Sequence, residues 1–157
     1  ADLPNVIHDV KMPFGCEDCL ACIINCPTDA IRPGKPIDAP RCISYLTIEK
    51  RSVLSRVEAE MMGDWIFGCD ECSNVCPPKE KIDSRIPVDL AWLLKQPAGE
   101  IRRTIKGNAT AYAGVTQLRR NAVAMLKLRE DPVAKELLGW TARQSGSALI
   151  QEQLRAW

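Results

Sequence analysis

The sequence predicts an α+β chain, mostly α, built from two unlike parts, and three observations carry that prediction. All eight cysteines fall between residues 16 and 76. After Pro78 the apolar residues recur at helical spacing, punctuated by Pro, Gly and an Asp-Pro pair. Charge divides at the same place: residues 1–78 carry 7 Lys+Arg against 12 Asp+Glu, and residues 79–157 carry 14 against 8, within a chain whose net charge is +1. A cysteine-rich unit over 1–80 and a helical region over 81–157 are therefore expected. Hydrophobic residues at 46% and charged residues at 26% suit a folded core rather than disorder. Aromatic residues make up only 5%, so that core must be aliphatic. No apolar run approaches the roughly 18–20 residues that span a bilayer, so no membrane partner is expected. The start, Ala1-Asp2-Leu3-Pro4, has neither a basic stretch nor an apolar one, and a cytoplasmic location is expected. It also lacks an initiator Met, which points to processing or to a piece of a longer chain.

The even number of cysteines fits a disulfide framework or a pair of four-cysteine zinc sites, and spacing decides against both. Cys16, Cys19, Cys22 and Cys26-Pro27 form C-x2-C-x2-C-x3-C-P, the run of bacterial 4Fe–4S sites, in which the fourth cysteine serves the other cluster. Three thiols at three-residue steps let one loop wrap three corners of an iron–sulfur cube. Zinc has no use for the third evenly spaced cysteine. Cys69, Cys72 and Cys76-Pro77 form a second run, C-x2-C-x3-C-P, one cysteine short, and Cys42 alone remains to complete it. The count closes on two 4Fe–4S clusters: Cys16, Cys19, Cys22 and the distant Cys76 on one, and Cys42, Cys69, Cys72 and the distant Cys26 on the other. Ile23, Ile24, Ile31, Ile37, Ile66 and Val75 are candidates for an apolar wrapping that limits solvent access. Two such cubes side by side make an electron conduit. His8 is the only histidine and has no acid–base partner beside it, and no Gly-rich phosphate loop or Ser/His/Asp arrangement supports a hydrolase or nucleotidase.

The elements follow in order. Residues 1–14 read as an extended lead-in, and Arg32-Pro33-Gly34-Lys35-Pro36 as a turn. Asp38-Ala39-Pro40 reads as a helix start. Cys42 to Glu49 is ambiguous, β-branched in content but helical in its flanks. Ser55 to Met62 reads as a helix stopped by Gly63, and any strands should be short pairs close to the clusters. Beyond Pro78, a helix follows Pro87 as far as Lys95, broken by Pro97 and Gly99; another runs from Glu100 to Lys106 with Gly107 as its C-cap. Val115, Leu118, Ala122, Met125 and Leu126 share one helical face. Asp131-Pro132 caps a helix that should bury Val133, Leu137 and Trp140. Gly146-Ser147 opens a last helix with Ile150, Leu154 and Trp157 on one side, which must dock on the preceding pair or await a continuation. Paired helices joined by an Asp-Pro cap resemble HEAT-type hairpins, too few here to stand alone, so they must lean on the cluster unit or a partner.

The order of motifs is more specific than any one of them: C-x2-C-x2-C-x3-C-P-T-x-A-I, then Arg41-Cys42-Ile43-Ser44-Tyr45-Leu46-Thr47-Ile48-Glu49, then Gly68-Cys69-Asp70, Cys72 and Cys76-Pro77, then Leu118-Arg119-Arg120-Asn121-Ala122. From about residue 3 to about residue 140 this resembles the C-terminal portion of the epoxyqueuosine reductase family, which completes queuosine in tRNA. The resemblance implies a ferredoxin-like two-cluster domain followed by HEAT-like helices, with the cysteines grouped as above and the Cys42 segment helical. It also implies an N-terminal cobalamin-binding catalytic domain, absent from this chain, to which the clusters pass electrons. Basic helices would hold the tRNA, with Arg119 and Arg120 as candidate phosphate contacts. Two positions depart from the family pattern: Pro78 stands where Trp is usual, and Tyr112 ends Gly107-Asn108-Ala109-Thr110-Ala111-Tyr112 where a basic residue is expected. Two other readings stand beside this one, a free-standing ferredoxin-like carrier for another redox partner and a nucleic-acid-binding module with structural clusters.

Overall fold

The computed structural model of the chain describes residues 18–77 and 86–157. The lead-in, His8, Cys16 and Pro78 lie outside the described residues. Among the described residues eight α-helices follow one another: α1 (Ala21–Ile24), α2 (Arg56–Met62), α3 (Glu71–Asn74), α4 (Leu90–Lys95), α5 (Ala98–Ile105), α6 (Thr110–Lys127), α7 (Pro132–Gln144) and α8 (Ala148–Arg155). Between α1 and α2 lie a 3-10 turn, Ala39–Arg41, and a π-helix, Tyr45–Glu49. The fold is mostly α. The sequence allowed for short strand pairs near the clusters; among the described residues the backbone beside the cysteines forms short helical turns and no strand. Cys42 to Glu49 is helical, and the start expected at Asp38 yields only the 3-10 turn.

Helix α6 is the axis of the molecule. Ala122, Val123, Ala124, Met125 and Leu126 are all buried, so this stretch is apolar around its whole circumference, as a helix enclosed by others must be. It packs against α2, α4, α5, α7, α8 and the π-helix. One continuous apolar core joins Ile43, Leu46, Leu54, Met62 and Ile66 to Leu93, Ile101, Leu118 and Ile150, residues from both sides of position 80. Near its start α6 bends at Gly114, whose φ of 77° places it where a side chain would be strained.

The local signals explain most helix ends. Ser55 accepts from the Glu58 amide while Glu58 reaches back to the Ser55 amide, a complete capping box at α2. Gly63, with φ of 56°, ends that helix. Asp89 caps α4 through the Trp92 amide, and Asp131 caps α7 through the Ala134 amide with Pro132 in the first turn. Gly99 sits in the first turn of α5 rather than ending α4. In α7, Ala134 and Leu137 face the core, Trp140 is half-buried, and Val133 points outward, against expectation. The last helix docks within the chain. Gln153 both donates to and accepts from the Leu54 backbone, and the Trp157 indole donates to the Leu54 carbonyl at 2.9 Å.

Glu58 also pairs with Lys50. Burial pushes the Glu58 carboxyl up, but the Lys50 ammonium and the Ser55 amide and hydroxyl outweigh it, leaving the carboxyl below its ordinary value. A depressed carboxylate stabilises the fold above its unfolded pKa, and that contribution is lost as pH falls through the folded pKa. Ser55→Ala should cost about 1 kcal/mol in a denaturant melt. Glu58→Gln should destabilise at neutral pH and converge on the parent once the carboxyl is protonated; equal melts at both pH values would contradict this.

Candidate metal centre

Two stretches of chain share one conformation. Cys19 to Cys26 and Cys69 to Cys76 each make a single helical turn, α1 and α3. In the first, the Ile23 and Ile24 amides donate to the Leu20 carbonyl at 3.0 and 2.9 Å; in the second, the Ser73 and Asn74 amides donate to the Asp70 carbonyl at 3.0 and 2.7 Å. The Cys26 and Cys76 amides close each turn, on Ile23 and Ser73 respectively, both at 3.3 Å. The residues opening the turns, Leu20 and Asp70, have φ/ψ of −104°/10° and −109°/11°. The two turns pack against each other.

Cys26, Cys42, Cys69 and Cys72, from three separate segments, line one cavity of about 80 Å3. Thr28, Ala30, Ile31, Ile37, Ile43 and Ser44 contribute to its walls. The Pro27-Thr28-Asp29-Ala30 turn aims the Ala30 amide at the Cys26 sulfur, at 3.3 Å, with the Thr28 hydroxyl 3.8 Å away. Burial pushes this thiol up, but the donors from Thr28, Ile31 and Ala30 outweigh it, and Cys26 lies below the ordinary thiol value. Burial raises Cys69 and Cys72, and neighbouring thiols add to it: Cys72 and Cys42 beside Cys69, and Cys42, Cys26 and Cys22 beside Cys72. Crowded, partly desolvated thiols of this kind deprotonate when a metal supplies the opposing charge.

The donor set suits a polynuclear cluster. Among the described residues no three Cys, His, Asp or Glu side chains are disposed to hold a single metal ion, and the seven described cysteines form no disulfide. Cys26, Cys42, Cys69 and Cys72 instead line a common space, which suits a group with several metal corners. Cys19, Cys22 and Cys76 lie on the paired turns outside that cavity, Cys76 exposed. Of the apolar wrapping, Ile31 and Ile37 line the cavity; Ile24 is 76% exposed and Ile66 belongs to the main core.

Of the two candidate phosphate contacts, Arg120 faces the interior and Arg119 is half-buried. Arg120 is 0% exposed and donates to the carbonyls of Leu46 (3.0 Å) and Lys50 (2.7 Å), where the π-helix ends. Burial lowers its pKa to about 10, so it stays charged at neutral pH. Arg119 donates to the carbonyls of Leu93 (2.9 Å) and Gln96, at the end of α4. Lys127 treats α8 alike, through the carbonyls of Gln153 and Leu154. Each places a cation on the negative end of a neighbouring helix. The sequence reading also missed Gln117, Asn121 and Thr47, buried polar residues around the same π-helix. Their signal is the interruption of an apolar helical face by amides.

Residues 15–79 match the family model described as a 4Fe-4S double cluster binding domain. The epoxyqueuosine reductase of Vibrio cholerae is 30% identical over 172 residues, covering 99% of this chain and 46% of that protein. The structure of epoxyqueuosine reductase from Bacillus subtilis superposes with a TM-score of 0.75 at 28% identity, covering 93% of this chain and 42% of that one. A crystal structure of epoxyqueuosine reductase with a tRNA-Tyr epoxyqueuosine-modified stem loop shares the fold, with a TM-score of 0.60 at 23% identity over 90% of this chain and 49% of that one. By cysteine spacing and the family match, residues 15–79 are similar to 4Fe–4S double cluster binding domains. More particularly, the chain is similar to the epoxyqueuosine reductase of Vibrio cholerae over 99% of its length. It spans about half the length of the Vibrio cholerae protein. Among the described residues no helix is long and apolar enough to cross a membrane.

Removing Arg120 strands the buried Leu46 carbonyl and leaves that of Lys50 to Gln117 alone, so Arg120→Ala should cost about 3 kcal/mol. Arg119→Ala should cost about 1 kcal/mol through the lost cap on α4. Denaturant melts check both, and changes within about 0.5 kcal/mol for each would return these residues to the surface role.

Proposed function

We propose that the chain is the iron–sulfur electron-transfer module of an epoxyqueuosine reductase-like, cobalamin-dependent oxidoreductase. The observation that carries this reading is the convergence of Cys26, Cys42, Cys69 and Cys72 on one cavity. These four hold one 4Fe–4S cluster, and Cys16, Cys19, Cys22 and Cys76 hold the other. Such clusters supply single-electron transfer with little rearrangement. The protein's share is to fix the thiols, aim the Ala30 amide at the Cys26 sulfur, and keep water from the inner site with Ile31, Ile43 and Ala30. The unit over 1–80 carries the clusters, and the helices over 81–157 support it through the shared core. Cobalamin belongs to a separate domain, and no residue of this chain is assigned to it. In the whole protein the electrons serve the reduction of epoxyqueuosine to queuosine in tRNA, as the relatives' name suggests. The helical half, with its basic excess, is the side offered to tRNA. Its exposed cations, such as Arg102 and Lys106, replace Arg119 and Arg120 in that role.

Anaerobic purification should yield about eight irons and eight sulfides per chain, and one or two zinc ions instead would overturn the reading. Cys26→Ser and Cys42→Ser should each remove the same set of about four irons. Stem-loop binding should weaken with salt, and the Arg102→Ala, Lys106→Ala double variant should flatten the log–log salt slope by roughly 2. An unchanged slope would remove those two residues from the interface.

A further inference from the structure

The cavity draws its thiols from segments distant in sequence, and no disulfide holds Cys42 opposite Cys69 and Cys72. A buried relay does. The Asn121 side-chain amide donates one N–H to the Thr47 carbonyl at 2.9 Å and the other to the Ile66 carbonyl at 2.7 Å. Thr47 lies in the helical run that Cys42 opens, and Ile66 lies just before Cys69. The Thr47 hydroxyl accepts from the Gly68 amide at 3.0 Å and donates to the Ile43 carbonyl at 2.8 Å, joining the residues next to Cys69 and Cys42. Ser44 adds a third strut, its hydroxyl 3.3 Å from the Cys69 carbonyl. Asn121 and Thr47 are each 0% exposed. With carbonyls as both partners, the Asn121 amide has one permitted orientation, which leaves its own oxygen without a partner. A buried amide held that way costs stability and fixes geometry.

We propose that Asn121 and Thr47 are positioning residues for the inner cluster: they set the separation of Cys42 from the Cys69–Cys72 turn and so decide whether that cage closes on a 4Fe–4S group. The inference rests on the ligand grouping given above. Among the described residues, the other cage's Cys19, Cys22 and Cys76 receive no part of the relay.

The test uses the whole chain, purified anaerobically, as Asn121→Asp, Thr47→Val and Thr47→Ser, beside Cys42→Ser. Asn121→Asp keeps the size but loses both N–H donors and repels both carbonyls. Thr47→Val keeps the shape and loses the hydroxyl. Iron and sulfide content, the electron paramagnetic resonance of the dithionite-reduced protein and a redox titration are read for each. Asn121→Asp and Thr47→Val should lower iron toward the Cys42→Ser level, or shift the resonance and potential of the one cluster that Cys42→Ser removes. The second cluster's signal should stay in place, and Thr47→Ser should restore the parent values. If both variants keep full iron, unchanged resonance and unchanged potentials, the positioning role is overturned while the ligand grouping stands. If Thr47→Val alone folds, its readings decide in the same way. If Cys42→Ser and Cys26→Ser remove different clusters, the grouping itself falls and takes the proposal with it.

Discussion

A helix whose last carbonyls are buried must find donors for them, and this molecule is organised around that requirement. Three elements, the π-helix, α4 and α8, bring their C-terminal ends against α6, and α6 answers each with a cation: Arg120, Arg119 and Lys127. Amides complete the set at the π-helix, where Gln117 joins Arg120 on the Lys50 carbonyl and Asn121 takes that of Thr47. Contacts of this kind are directional where apolar packing is not. They fix the rotation of each neighbour about its own axis, and through the π-helix they reach the cysteines.

That arrangement recasts the charge asymmetry of the chain. The basic excess of the second half looks from composition like a surface for polyanions. Part of it is turned inward, where a guanidinium facing helix carbonyls replaces the water it gives up. Arg120 keeps two nitrogens without partners, the cost of placing a forked donor among acceptors that meet only one tine.

The parts of this structure that sequence made legible are those decided by near neighbours. Cysteine steps of three, the Ser55–Glu58 box, the Asp131-Pro132 cap and the stop at Gly63 each depend on a few residues of chain, and the helix ends stand as read. That Cys26, Cys42, Cys69 and Cys72 line one cavity is a matter of tertiary packing that the cysteine count alone does not display. What the residues left open or misplaced depended on distant partners. Cys42 to Glu49 has strand-like content, yet Thr47 turns its hydroxyl back to Ile43 and α6 donates to its carbonyls, which settles it as helix. Arg120 and Val133 exchange their expected places because a charged group can find carbonyls inside, while an aliphatic one on the outer face of α7 has no neighbour to meet.

The two cysteine turns trace the same backbone path, yet the thiol-lined cavity between them and the core also calls on Cys42, carried on a helix braced by α6. Matched turns alone would give their thiols like surroundings. Borrowing Cys42 breaks the symmetry: Cys26, Cys69 and Cys72 share aliphatic walls with it, while Cys76 stands beside solvent.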